Sequence, residues 1–126
     1  MSGQNVVNIP PQLIPTGPAN LLNCAITSLA GPVGFTALQP YLVVYHIQLT
    51  NTDTVPHTVS LFKGASAAGV AGTQYAGVAG LVIAAGGTYN YYGSGDRFDS
   101  TTFLTGSDAT ATNKVVITID AEIYME

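Results

Sequence analysis

Between residues 115 and 125 apolar and polar side chains alternate without a slip. Val115, Ile117, Ile119, Ala121, Ile123 and Met125 fall on one face, and Val116, Thr118, Asp120, Glu122 and Tyr124 fall on the other. Period two sustained over this length is a β-strand with one buried face, because a slip of one residue would turn the whole apolar set to water. A strand of this kind needs a second apolar surface to close over it, so the remaining segments are read for what could supply that surface.

Tyr41 to Thr50 shows the same alternation: Tyr41, Val43, Tyr45, Ile47 and Leu49 share one face, and His46, Gln48 and Thr50 the other. Leu42 and Val44 make its first half apolar on both sides, which predicts cover on both faces at that end. Asn51 to Pro56 is dense in turn formers, and His57 to Lys63 resumes the alternation with Val59 and Leu61, so the two strands are expected to form a hairpin. Leu22, Cys24 and Ile26 alternate within Asn20 to Ser28. Leu81 to Ile83 is a short strand closed by Gly86-Gly87, Tyr89 and Tyr91 share a face beyond it, and Gly93 to Asp96 reads as a further break. Phe98 to Thr105 is a weaker strand, and Gly106 to Asn113 reads as polar loop. No segment carries helical period over a usable length. About six to eight short strands with Gly, Pro and Asn turns predict an all-β antiparallel sandwich of jelly-roll type.

Residues 1 to 18 hold four of the seven prolines, Pro10, Pro11, Pro15 and Pro18. Proline fixes φ, removes a donor and pushes its predecessor into extended geometry, so this stretch is expected to be an extended arm ahead of a single domain at 19 to 126. The apolar Ile9, Leu13 and Ile14 need cover, from the chain's own sheet or from a neighbouring subunit. On the second reading Ile9, Pro10, Pro11, Leu13, Ile14 and Pro15 are partner contacts, and removal of residues 1 to 15 would spare the fold while weakening binding.

Asp, Glu, Lys and Arg make up only 8% of the chain, against about 25% in an ordinary soluble domain. Hydrophobic residues at 47% separate this from the composition of a disordered chain. The only cations are Lys63, Arg97 and Lys114, and the formal net charge is −4. Nucleic acid and anionic membrane are therefore not expected partners, since both are bound through clustered Lys and Arg. Cys24 has no second cysteine to pair with, and a buried reduced thiol is expected. Met1 to Asn5 show neither the basic nor the apolar region of a signal peptide, and no apolar run reaches the ~18 residues of a membrane helix. Folding in a reducing cytosol is the expectation.

Chemistry-bearing residues are sparse. His46 and His57 flank the expected hairpin and would lie within one or two ladder steps of each other, but a metal site would need a third ligand and Asp53 is the only acid nearby, so no metal is expected. Asp96, Asp99 and Asp108 with Arg97 suit local ion pairing and Asx turns better than calcium binding, because their spacing fits no calcium loop. Gly64 to Gly69 lacks the Gly-Lys-Ser/Thr ending of a phosphate loop. The plain Gly/Ala/Ser/Val stretch from Gly64 to Gly80 would be mobile unless a partner surface held it. No reaction and no cofactor is indicated.

The run from Val43 to Phe62, followed by Ile83-Ala84-Ala85-Gly86-Gly87-Thr88, Gly95-Asp96-Arg97-Phe98 and the closing strand from Val115 to Tyr124, resembles small jelly-roll head decoration (cement) proteins of tailed bacteriophages. That resemblance implies a structural, non-enzymatic virion protein on the capsid surface. It would be homo-oligomeric, with a trimer favoured, and would bind the major capsid protein and stabilise the assembled head. The alternative expectation is a tail-associated receptor- or carbohydrate-binding sandwich using an aromatic platform near Tyr89 to Tyr92.

Overall fold

The alternating segments become strands and close on each other as two sheets. The computed structural model describes residues 6–7, 9–17, 19–22, 40–64, 73–75, 80–99, 101–111 and 113–125. These form β1 (Val6–Val7), β2 (Gln12–Leu13), β3 (Ala19–Leu22), β4 (Pro40–Asn51), β5 (His57–Gly64), β6 (Thr73–Gln74), β7 (Leu81–Ile83), β8 (Thr88–Phe98), β9 (Phe103–Asp108) and β10 (Val115–Met125). All pairings are antiparallel. The first sheet runs β1–β10–β4–β8, with β2 also on β10. The second runs β3–β9–β5–β6, with β7 also on β5. Apart from β1 to β2 and the β5 to β7 stretch, successive strands cross from one sheet to the other, which is the winding of a jelly-roll sandwich.

The two inner faces supply the core. Leu42, Val44, Ile47 and Leu49 of β4 and Val115, Ile117, Ile119, Ala121 and Ile123 of β10 face Val59 and Leu61 of β5 and Leu104 of β9, all buried. Each full burial of such a side chain is worth about 1.5–3 kcal/mol. β10 therefore has the faces that its sequence dictates.

β4 does not. Tyr41 and Val43 point outward and Leu42 and Val44 inward, the reverse of simple alternation from Leu49 back. The cause is a β-bulge. Asp120 pairs with His46 but Ala121 with Val44, so Tyr45 is an extra residue that shifts the phase by one. On the other side His46 pairs with Tyr92 and Val44 with Asp96, so residues 93–95 form a larger irregularity within β8 rather than a break between strands. A Cβ on Gly93 would lie 2.9 Å from the Val44 carbonyl oxygen, closer than side chains approach backbone, so the glycine is required there.

The expected hairpin between β4 and β5 is not formed. The strands lie in different sheets, and residues 52–56 are a corner between them. Alternation fixes which side chains are buried but not whether two apolar faces meet edge to edge or face to face. Gly106 to Ser107, expected in a loop, continue β9 through Asp108. A Cβ at Gly106 would meet Leu21 and Leu61 methyls at 2.7 and 2.9 Å, so glycine in mid-strand lets those leucines fill the space. Within the Gly64 to Gly80 stretch, Thr73 and Gln74 pair with β5 and Tyr75 is buried between the sheets, so this part is held by the chain itself. Residues 65–72 and 76–79 of that stretch, Cys24 and the alternation from Asn23 to Ser28 lie outside the described residues.

The proline-rich segment is also part of the sandwich where it is described. Gln12 and Leu13 pair with Ile117 and Val116, the Ile14 amide donates to the Val115 carbonyl at 3.0 Å, and the Asp108 amide donates to the Pro15 carbonyl at 2.8 Å. Ile9 and Ile14 are core residues, 6% and 0% exposed. Of the two readings for Ile9 and Ile14, the chain's own sheets supply their cover: proline excludes helix but not a short edge strand, and two buried isoleucines anchor it.

Candidate docking end and aromatic face

One end of the sandwich collects the corner at 52–56, the turn at 84–87, the segment after β2 and the residues between β9 and β10. Polar side chains with no solvent access hold it together. Asn51, fully buried, donates through Nδ2 to the carbonyls of Val55 at 2.9 Å and Ile83 at 3.0 Å, with that of Ala84 at 3.2 Å. Its Oδ1 accepts from the Asp53 amide at 2.9 Å. The corner is thus tied to β7 by one amide side chain. The Asn51 amide donates to Gly87, and the Gly87 amide closes its own turn on Ala84 at 2.8 Å, with Gly86 at φ 70, a left-handed value that favours glycine.

His57 is the second brace. Its imidazole is fully buried, with Nδ1 2.5 Å from Asp108 and Nε2 2.8 Å from Asp53. Both partners are carboxylates, so both ring N–H groups donate and the protonated ring satisfies the arrangement. The hydrogen bond donated to Asp53 is the main influence raising the His57 pKa, against the opposing effect of burial, and the bond to Asp108 adds to it. The same bond holds the Asp53 carboxyl below its ordinary range. Asp108 uses its other oxygen to accept from the Thr110 amide at 3.0 Å. Both ring nitrogens are occupied, so His57 has none left to act as a general base.

Around this braced end apolar side chains are exposed beside Thr52, Thr54, Asn113 and Lys114. Among the described residues the exposed large hydrophobic side chains are Leu13 (48%), Tyr45 (38%), Val55 (46%), Val82 (63%) and Tyr92 (75%). Three of them rim this end. Val55 is in the corner, Val82 pairs with Thr58 one step from the His57 register, and Leu13 pairs with Val116 beside the Asn51 register. Pro56, Ala84 and Ala85 are also exposed there. Of the six contacts expected from sequence, Pro10, Pro11 and Leu13 are exposed, Pro15 is half-buried, and Ile9 and Ile14 are in the core.

The outer face of the first sheet carries the other two exposed side chains. Tyr45 and Tyr124 both donate to the same Glu122 oxygen, and Tyr45 lies 3.3 Å from the Tyr124 hydroxyl. These bonds lower the Glu122 pKa and raise that of Tyr45. The Arg97 guanidinium sits 3.7 Å from the centre of the Tyr41 ring, which stacks on Tyr124. One row along, His46 bridges Asp120 at 2.8 Å and Asn90 at 2.9 Å and stacks on Tyr92 at 4.8 Å. The Asp120 bond is the main reason its pKa is raised.

The chemistry-bearing groups weighed from the sequence lie apart. His46 is on an outer face and His57 is inside the far end, so they share no site. Asp96 accepts from Tyr75 at 2.7 Å and Tyr91 at 3.3 Å between the sheets, Asp99 accepts from the Thr101 amide at 2.8 Å in an Asx turn with Arg97 lending a smaller favourable charge, and Asp108 belongs to His57. Among the described residues no group of three or more His, Cys, Asp or Glu side chains is arranged to hold a metal ion. The double brace at His57 was missed from sequence, although the Asp53/His57 spacing of four across a corner is the one local signal for it. No protein-family model matches this chain, no curated protein is significantly similar to it, and no solved structure matches it significantly.

Proposed function

We propose that the protein is a structural virion protein, a decoration protein that docks on the assembled head through the braced end of its sandwich. The observation that carries this reading is the ring of exposed Leu13, Val55 and Val82 around an end whose buried polar groups are already hydrogen-bonded to each other. Covering such a surface gains the apolar area, and the His57 charge beneath it is already paired with Asp53 and Asp108, a combination that suits a stable protein interface. Pro10 and Pro11, exposed beside Leu13, extend the same surface along the edge of the first sheet. The major capsid protein is the proposed partner, and several copies acting together as a homo-oligomer, a trimer on this reading, would multiply weak single contacts into firm attachment.

The test is direct. Purified protein is mixed with phage heads assembled without it, and the heads are sedimented and heated. Co-sedimentation at a fixed ratio to the capsid protein, with heads that open at a higher temperature, is the expected result. Heads that bind none of it, from a preparation whose protein is folded, would overturn the proposal.

A further inference from the structure

The row Asp120–His46–Tyr92 on the outer face of the first sheet is organised beyond what stability asks of a surface. These three residues are direct cross-strand neighbours on β10, β4 and β8, with Gln48 and Asn90 in the next row. His46 spends both ring nitrogens on holding Asp120 and Asn90, its ring is stacked on Tyr92, and Gln48 donates to the same Asn90 oxygen at 3.2 Å. Exposed networks of this kind add little to folding. Their effect is to fix five side chains from three strands in one arrangement, which is the preorganisation a binding site requires.

What the arrangement leaves unused points outward. Tyr92 is 75% exposed, so the ring face away from His46 is open. Asn90 has engaged its oxygen and keeps its amide N–H groups. Asp120 has engaged Oδ2 with His46, leaving Oδ1 as an acceptor on a side chain 63% exposed. We propose that this row binds a neutral carbohydrate: one sugar ring lies on Tyr92 through its C–H face, and hydroxyls of the adjoining ring bond to Asn90 and Asp120. The groups on offer suit that chemistry: an open aromatic face for the C–H face of a sugar, amide N–H donors and a carboxylate acceptor for its hydroxyls, with the His46 ring already paired to Asp120. Asp120 and Tyr92 stand two strand spacings apart, about 10 Å, a span that a disaccharide covers.

This site is on a sheet face and the proposed docking surface is at an end of the sandwich, so either reading can fail without the other. The experiment titrates maltose, cellobiose, lactose and chitobiose separately into isotope-labelled full-length protein and follows the backbone amide resonances. The expected result is saturable shifts with at least one disaccharide, centred on His46, Asn90, Tyr92 and Asp120. Affinity should fall about tenfold in Tyr92→Ala, as loss of one stacking contact implies, and persist in Tyr92→Phe. Asp120→Asn gives a second readout that keeps the aromatic ring, with weaker binding expected from a protein whose circular dichroism spectrum matches the parent's. Absence of saturable shifts with all four sugars, or binding that is indifferent to Tyr92→Ala, would overturn the proposal.

Discussion

Replacing Ile14 by alanine distinguishes a strand anchored in the core from an arm laid on a neighbour. Ile14 is 0% exposed, its amide donates to Val115 and its carbonyl accepts from the Asn113 amide, so its neighbours are held on both sides and cannot collapse freely into the space left behind. The substitution deletes three buried carbons, worth about 2.4 kcal/mol at ~0.8 kcal/mol each, before the cost of the cavity is added. A total of about 3–4 kcal/mol follows, within the range of ~2–5 kcal/mol found for large-to-alanine changes in cores. For a domain of this size that lowers the melting temperature by roughly 10–15 °C. Leu13→Ala, one residue away but 48% exposed, should cost less than about 1 kcal/mol. Thermal melts of both variants by circular dichroism, backed by urea titration, read the difference. Equal melting of Ile14→Ala and the parent protein would refute the placement of Ile14 in the core.

Three further outcomes follow from the same physics. Ile119→Asp places an unpaired charge at a side chain 2% exposed and should abolish folding, whereas Thr118→Asp on the opposite face should stay within about 1 kcal/mol of the parent; a folded Ile119→Asp in circular dichroism would invert the assignment of β10 faces. Gly93→Ala forces a methyl against the Val44 carbonyl and should cost about 1–3 kcal/mol in urea titration, with the largest amide shifts at residues 44–46 and 92–96. Stability should be greatest between the ordinary pKa values of Asp53 (3.8) and His57 (6.5). The His57 pKa is raised by folding, so its contribution is complete below 6.5 and is lost as pH climbs through the folded value. The Asp53 pKa is lowered, so its contribution is complete above 3.8 and is lost as pH falls through the folded value. His46 adds to the alkaline loss and Glu122 and Asp99 to the acid one. Urea midpoints measured across this range, with His57→Gln showing a flatter alkaline limb, check the sign.

What could be read from the sequence was the burial of side chains, and what could not was the partner that buries them. β10 was legible to its last described pair because six uninterrupted alternations leave one register. β4 was half legible: Tyr45 carries no mark of a bulge, and only the Gly93-Ser94-Gly95 run on the neighbouring strand compensates for it, a relation invisible until the strands are paired. The corner after Asn51 reads like a hairpin turn because the same Asn, Asp and Pro preferences serve both, and the deciding contact, Asn51 to β7, spans more than thirty residues. His57 and Asp108 lie fifty-one positions apart, so the buried brace had no local signature on its acidic side. The exposed ring of Leu13, Val55 and Val82 likewise assembles from three distant segments. The low charge of the chain carried no sign of where on the molecule exposed apolar side chains would gather.

Docking through the braced end is tested most directly by measuring how Val55→Asp binds to heads assembled without the protein. Val55 is 46% exposed and contributes its carbonyl, not its side chain, to the Asn51 brace, so the variant should melt with the parent. Unchanged melting is expected together with affinity for the heads reduced by at least about tenfold, the effect of burying an unpaired charge at the centre of an interface. A Val55→Asp protein that binds heads as tightly as the parent would contradict docking through this end.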